Sequence, residues 1–295
     1  MKICCYDDGR PGLIERDAIY PLGDALSTAG AARAGATMAE VVDALANHPS
    51  ASAALASARR GTPFALTSAR LQVPVGDPPA IWAAAANYRA HQAEMKERVG
   101  SSYERMQLSA DDLMAEVFLK PASSLLGPGG TVVLPKVARH VDYECELCAV
   151  IGRTAKKVAA ENALEHVFGY TMCWDISIRD PWGHGRHNTR NIRKGFDTFC
   201  GLGPWIVTRD EIAEPQDLRI EVTQNGRPVM QAHTADMING LRDLIRFLSG
   251  VTTLKPGTLI TTGTPAGVSK LADGDHLKGT INGIGTMELS VRAET

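Results

Sequence analysis

Apolar and polar positions alternate most clearly near the middle of the chain. Residues 141–153 read VDYECELCAVIGR, a run rich in Val, Tyr, Cys, Leu and Ile that predicts a strand. Strand side chains alternate faces, so Glu144, Glu146 and Cys148 share one side. A second apolar run, Phe168 to Trp174, predicts another strand and ends at Asp175.

The first 75 residues predict a small module. Its opening, MKICCYDDGRPGLIERDAIYPL, suggests two or three short strands with a turn at Asp8-Gly9-Arg10-Pro11. Met38–Leu45 and Ser50–Arg60 are Ala-rich and helical, and Thr67–Pro74 reads as a strand. Val75–Pro79 marks a boundary, placing domains at 1–75 and 76–295. Beyond it, short strands and helices alternate between Gly/Pro turns. AIWAAAANY is a strand, YRAHQAEMKERVG has helical spacing, and Ser101–Glu116 reads as a polar helical flap. EVFLKP is a strand stopped by Pro121. A helix is expected from Lys157 to His166, and a loop from Asp180 to Arg193. A hairpin is expected around Asn225-Gly226, an amphipathic helix over Met237–Ser249, and a strand over Gly257–Thr262 leading into GTPAGV. Two more strands meet at Asn282-Gly283. Gly-Pro-Gly-Gly at 127–130 is too short for a phosphate loop, since no helix clearly follows.

Two carboxylates facing the same way on an apolar strand repel each other, and burying them unpaired costs roughly several kcal/mol each. Spacing alone leaves two readings. Glu144 and Glu146 face water from an edge strand, or they hold a divalent cation to which Asp175 adds a third oxygen. An all-carboxylate set suits Mg²⁺ first, with Mn²⁺ or Ca²⁺ as alternatives.

Composition narrows the partners. The chain has 295 residues, 44% hydrophobic and 22% charged, with a net charge of −2. That is long enough for a sizeable core, and it points away from nucleic acid and anionic membranes. No apolar run approaches the roughly 18–20 residues that span a bilayer, and MKICCYDDGRPG carries acids where a signal peptide needs an apolar core. A cytoplasmic protein is expected. Cys145 and Cys148 form a C-x-x-C string, but positions three apart on a strand face opposite ways, so buried thiols are expected instead of a redox or zinc motif.

Five blocks carry a resemblance to the fumarylacetoacetate hydrolase family: ANYRAHQAE, FLKPASSLLGPGGTVVLP, VDYECELCAVIGR, GYTMCWDISIRD with KGFDTFCGLGPWIVT, and LITTGTPAGV. Their order and spacing agree with the family from about Ala80 onward. The resemblance implies an α+β, mainly β fold: a mixed β-sandwich roll behind a small β-rich N-terminal domain. It also implies bound Mg²⁺ (or Mn²⁺, Ca²⁺), a homodimer, and chemistry on 2-oxo acids or 1,3-diketones. By the same resemblance, Glu144, Glu146 and Asp175 are metal ligands, which favours the metal reading of the strand. Asn87, Tyr88, His91 and Glu94 form a lid block. His91 and Glu94 lie three apart, on one face of a helix, and a carboxylate that orients an imidazole can make it a general base. Lys194 joins His91 and Glu94 as a catalytic residue. Tyr88, Lys120, Arg179 and Thr264 are matched to substrate binding.

The chain departs from the pattern in one loop. Trp182, after Pro181, stands where many members have a substrate-contacting glutamine, and Arg186, His187 and Arg190 follow. The segment from Lys96 to Ala115 is also longer than a minimal lid. The expected activity is metal-dependent hydrolysis of a C–C bond in a 2,4-dioxo acid or acylpyruvate. The alternatives are a decarboxylase or keto–enol isomerase on the same scaffold and, more distantly, a non-catalytic binding protein. The lid, 88–114, is expected to pack weakly without ligand, and His184 and His187 are the reserve candidates for the base.

Overall fold

The structure, a computed structural model, describes residues 1–99, 109–180 and 190–295. The first 75 residues form β1 (Lys2–Tyr6), β2 (Arg10–Glu15), β3 (Ala18–Pro21), helices α1 (Gly23–Thr28), α2 (Met38–Asn47) and α3 (Ala51–Arg60), then the short β4 (Phe64–Ala65) and β5 (Leu71–Gln72). Helix α2 starts where the sequence offers a capping box: Thr37 accepts from the Glu40 amide while the Glu40 carboxylate accepts from Thr37 N. There follow β6 (Ile81–Ala83), α4 (Arg89–Val99), α5 (Ala110–Met114), β7 (Phe118–Lys120), β8 (Leu125–Leu126), β9 (Thr131–Leu134), β10 (Val141–Asp142), β11 (Cys145–Ile151), β12 (Val167–Asp175), β13 (Ser177–Ile178) and α6 (Arg190–Arg193). The chain ends with β14 (Cys200–Thr208), β15 (Arg219–Gln224), β16 (Arg227–His233), α7 (Leu241–Val251), β17 (Leu259–Thr261), β18 (His276–Ile281) and β19 (Gly285–Ala293).

Among the described residues, 12 strands form one sheet in the order β4-β3-β2-β1-β14-β12-β11-β17-β6-β7, with β5 on β1 and β8 on β14. Five more form a second sheet, β16-β15-β18-β19-β9. The fold is mainly β, as expected. The N-terminal strands extend the large sheet, since β1 pairs with β14 through Lys2↔Val207 and Ile3↔Ile206.

The large sheet has two covered faces. Leu147, Ala149, Met172 and Trp174 pack towards Leu277, Met287 and Leu289 of the second sheet. Each such fully buried side chain is worth about 1.5–3 kcal/mol. The approach is close: a Cβ on Gly279 would lie 2.6 Å from Trp174, so only glycine fits there. On the opposite face, Cys148, Val150 and Cys173 pack with Val41, Val42 and Leu55 of α2 and α3. Cys145 and Cys148 therefore belong to different cores, and all six cysteines are buried and unpaired.

Several local expectations shift. The strand over Thr67–Pro74 shrinks to β5, because a 3-10 turn occupies Leu66–Ser68 and Pro74 lacks an N–H. The helix from Lys157 is a 3-10 stretch over Ala160–His166; Lys157 itself has φ 53°, which no right-handed helix accepts. Helix α7 begins at Leu241 instead of Met237, because Met237 bridges to Tyr88 and Ile238 N–H donates to Asn87 O. Of the flap, Ala110–Met114 is α5, capped by Ser109 and Asp112. The loop from Asp180 ends in the single turn of α6. The Asn225-Gly226 hairpin is present, with φ 54° and 75° as its mirror-image turn requires. No helix among the described residues is long and apolar enough to cross a membrane.

Candidate metal centre and its lid

Where α2 and α3 no longer cover the sheet face that carries Cys148 and Val150, it turns polar. Glu144 stands just ahead of β11, Glu146 follows on that strand, and Asp175 ends β12. One carboxylate oxygen from each lies within 4.8 Å of the others. The three residues are 5%, 0% and 0% exposed. Backbone pairing fixes them, since Asp175 N–H donates to Glu144 O at 2.8 Å and Glu146 sits opposite Cys173.

Two lysines enter the cluster, and burial marks them as more than surface charge. Lys194 Nζ donates to Glu144 Oε2 at 2.7 Å and Asp175 Oδ2 at 2.6 Å. Lys120 Nζ donates to Asp175 Oδ1 at 2.6 Å and to Lys194 O. Lys120 comes from β7, at the far edge of the sheet order, so the sheet must curl to bring it to β12. Burial disfavours its charge, but Asp175 beside it, Cys200 and Cys173 together outweigh burial and hold its pKa above the ordinary value. Arg179 donates through Nη2 to Glu144 Oε1 and through Nε to Asp142 Oδ2, the latter at 3.0 Å.

The three carboxylates are unequal. Burial pushes Glu144 up, yet Lys194, Arg179 and His91 together outweigh it and hold the carboxyl well below the usual range. Glu146 Oε2 accepts from Gly263 N–H at 2.8 Å, and Oε1 is buried without a hydrogen-bond partner among the described residues. Burial first, then Asp175 and Glu144, pushes its carboxyl well above the carboxylate range. A buried carboxylate with an unpartnered oxygen, clustered within 4.8 Å of two others, is where a divalent cation fits. The donor set, oxygen only, suits a hard ion.

The lid starts above this cluster. His91, on α4, is 4% exposed. Its Nδ1 lies 3.3 Å from Glu94 Oε2 and its Nε2 3.7 Å from Glu144 Oε1. Glu94 also accepts from Gly267 N–H at 3.3 Å. Gly267 has φ 109°, and a Cβ there would meet Val229 O at 2.5 Å, so the amide is available only because the residue is glycine. Asn87 anchors the root of the lid: Nδ2 donates to Asn239 O at 2.8 Å and Thr262 O at 2.9 Å, and Oδ1 accepts from Asn239 N–H at 2.8 Å. Asn239 Nδ2 in turn donates to Ala110 O at 3.0 Å, at the far end of the lid.

Of the remaining expected site residues, Tyr88 is 1% exposed with Oη unpartnered among the described residues. Thr264 Oγ1 donates to Cys145 O at 3.3 Å, one strand position from Glu146. Arg190 is tied to Glu116, donating to its backbone O and to Oε2 at 2.6 and 2.7 Å. Trp182, His184, Arg186 and His187 lie outside the described residues, as do lid residues 100–108. Asp142, Asn239 and Gly267 were not singled out from sequence. For Asp142 a signal existed: with Glu144 and Glu146 it completes an acidic series spaced by two. For Gly267 and Asn239 nothing local distinguishes them.

Carboxylates gathered for a hard cation beneath an imidazole–carboxylate pair define a metal-assisted acid–base enzyme. The sequence model of the fumarylacetoacetate (FAA) hydrolase C-terminal domain matches residues 80–292, and the chain belongs to the fumarylacetoacetate hydrolase family. It is 35% identical over 295 residues to the maleylpyruvate hydrolase of Aquipseudomonas alcaligenes, covering 99% of this chain and 100% of that one. The crystal structure of maleylpyruvate hydrolase from Sphingobium sp. SYK-6 matches with a TM-score of 0.82 at 30% identity over 100% of both chains. A second structure of that protein is a complex with manganese(II) ion and pyruvate, with the same TM-score, identity and coverage. The 2-hydroxyhepta-2,4-diene-1,7-dioate isomerase from Mycobacterium marinum matches at TM-score 0.67 and 36% identity, over 80% of this chain and 82% of that one. Hydrolases and isomerases thus share this scaffold, and the chain is an enzyme of that group.

Proposed function

We propose that this protein is a divalent-metal-dependent hydrolase that cleaves a C–C bond in a 2,4-dioxo acid, an acylpyruvate of the maleylpyruvate type. The observation that carries this reading is the buried Glu144, Glu146 and Asp175 cluster, with one oxygen of each within 4.8 Å of the others and one Glu146 oxygen unpartnered among the described residues, beneath His91 Nε2 3.7 Å from Glu144. Glu144, Glu146 and Asp175 would hold the ion, Mg²⁺ by their all-oxygen donors, with Mn²⁺ and Ca²⁺ acceptable to the same set. When bound, the ion supplies Lewis-acid polarisation of a 2-oxo acid's oxygens.

The chain's own residues supply the rest. Glu94, held by the Gly267 amide, accepts from His91 Nδ1–H and leaves Nε2 as the base. Nε2 removes a proton from water, and the hydroxyl oxygen bonds to the distal carbonyl carbon. Collapse breaks the bond between C3 and C4. The electron pair goes to C3 as the enolate of the 2-oxo acid, and a proton returned to C3 completes a carboxylic acid and a 2-oxo acid. Lys194 and Lys120 keep positive charge beside the developing enolate. Tyr88 offers an unpartnered hydroxyl for the substrate carboxylate end, and Thr264 would turn its own away from Cys145 O to donate there as well.

The likeness to a maleylpyruvate hydrolase in complex with manganese(II) ion and pyruvate supports a small anionic substrate. A keto–enol isomerase is the second reading, favoured by the likeness to the Mycobacterium marinum isomerase. A homodimer and a cytoplasmic location complete the proposal; six unpaired cysteines suit a reducing compartment.

The test is a substrate panel of acylpyruvates, oxaloacetate and hydroxymuconate-type acids with Mg²⁺ or Mn²⁺, products followed by NMR. Release of pyruvate plus a carboxylic acid from an acylpyruvate is expected. Tautomer exchange without cleavage across the whole panel would favour the isomerase.

A further inference from the structure

Arg179 was expected to meet substrate, yet its hydrogen bonds run elsewhere. Nη2 goes to Glu144 and Nε to Asp142. Asp142 is 1% exposed; it lies on β10, opposite Ser177 of β13, and also forms a bridge with Lys270. Its second oxygen, Oδ1, lies 2.5 Å from His140 Nε2, and the His140 side chain is 39% exposed. His140 is itself fixed through its backbone. Its O accepts from Arg179 N–H at 2.9 Å, and its N–H donates to Asp180 Oδ2 at 2.9 Å. A continuous chain therefore runs from the surface to the metal centre: His140, Asp142, Arg179, Glu144.

The physical consequence concerns Glu144. A guanidinium beside a candidate ligand competes with a cation for the same carboxylate. Shared with a second carboxylate, it competes less and is held by its planar fork in one orientation. Asp142 is the only described acid besides Glu144 that the Arg179 side chain is seen to reach. We propose that Asp142 is a positioning residue for the metal centre: through the Arg179 fork it fixes Glu144 and tempers the pull of the guanidinium on it, with His140 bracing Asp142 from the surface. This rests on the metal reading given above.

The test is calorimetric titration of Mn²⁺ into the full chain, beside kcat and KM, for Asp142→Asn, Arg179→Lys, the double variant and His140→Gln. Asn is isosteric with Asp, and circular dichroism checks that the fold is kept. Loss of a supporting partner typically weakens metal affinity by about 10–100-fold, so Asp142→Asn is expected to lose about 10-fold or more. Arg179→Lys keeps the charge but not the fork and is expected to lose a similar factor. The double variant should lose little beyond either single change, because both act through one bridge. His140→Gln, half-exposed, should lose no more than about threefold. Parent-like Mn²⁺ affinity in Asp142→Asn overturns the proposal, as do losses that multiply fully in the double variant, since Asp142 would then act without Arg179. A parent that binds no divalent ion sinks the metal reading and this inference together, whereas a parent that binds and an Asp142→Asn variant that binds equally sinks this inference alone.

Discussion

The two halves of the site are held in contrasting ways. The carboxylates stand on adjacent strands of the large sheet and are met by two buried lysines and an arginine at hydrogen-bond distance. The His91–Glu94 pair stands on a helix with little amphipathic character, joined to the body at its root by Asn87, by the buried Met95 and, among other contacts, by Glu94 on the Gly267 amide. The contrast separates two tasks. A cation needs an electrostatic cage set before it arrives, which sheet pairing and buried ion pairs supply. A base must meet its water, which depends on how one ring is placed and oriented. The cage should therefore fail in binding, and the lid in turnover.

The largest effect is expected at Glu146. Glu146→Ala removes the carboxylate with the orphaned oxygen and should abolish Mn²⁺ binding by calorimetry while the circular dichroism spectrum stays that of the parent; parent-like affinity would place the ion elsewhere. Next is Lys120→Met. Removing one partner of a buried pair costs about 3–5 kcal/mol, so chemical denaturation of the metal-free protein should show a loss of that size. Added Mn²⁺ should restore part of it, because the ion supplies the missing positive charge. No loss of stability would mean that the pair with Asp175 contributes nothing to the cage. On the lid side, His91→Ala should lower kcat by roughly 10²-fold or more, the scale of general-base catalysis, with Mn²⁺ affinity unchanged. Full activity in that variant would send the search for a base to His184 and His187.

The same division explains what was legible in the sequence. The strand rule alone put Glu144 and Glu146 on one face, and the apolar run ending at Asp175 was visible as a strand, because both are local periodicities. That these residues form a cage was carried by the family motifs. Lys120 as a partner of Asp175 was beyond reach, since β7 meets β12 only through the curl of a sheet whose order, β11-β17-β6-β7, skips along the chain. Gly267 and Asn239 were hidden for a related reason: they act through backbone groups on side chains more than 100 residues away. Helix α7 was misplaced by four residues because Met237 and Ile238 pair with the lid root, a tertiary contact that overrides the local pattern.

The smallest effect distinguishes orientation from charge in the lid. Glu94 touches His91 at 3.3 Å and Gly267 N–H at 3.3 Å. Glu94→Gln keeps a side-chain oxygen of nearly the same shape for one of these contacts, and removes the negative charge that favours a protonated ring. A hydrogen bond to a charged group contributes about 1.5–3 kcal/mol, against about 1 for a neutral one. The difference converts to roughly tenfold or somewhat less in kcat, well short of the loss at His91. Mn²⁺ affinity should not move, because Glu94 lies outside the carboxylate cage. A Glu94→Gln variant as slow as His91→Ala would mean that the carboxylate takes part in the proton transfer itself; one as fast as the parent would mean that a neutral amide orients the ring as well as the carboxylate does.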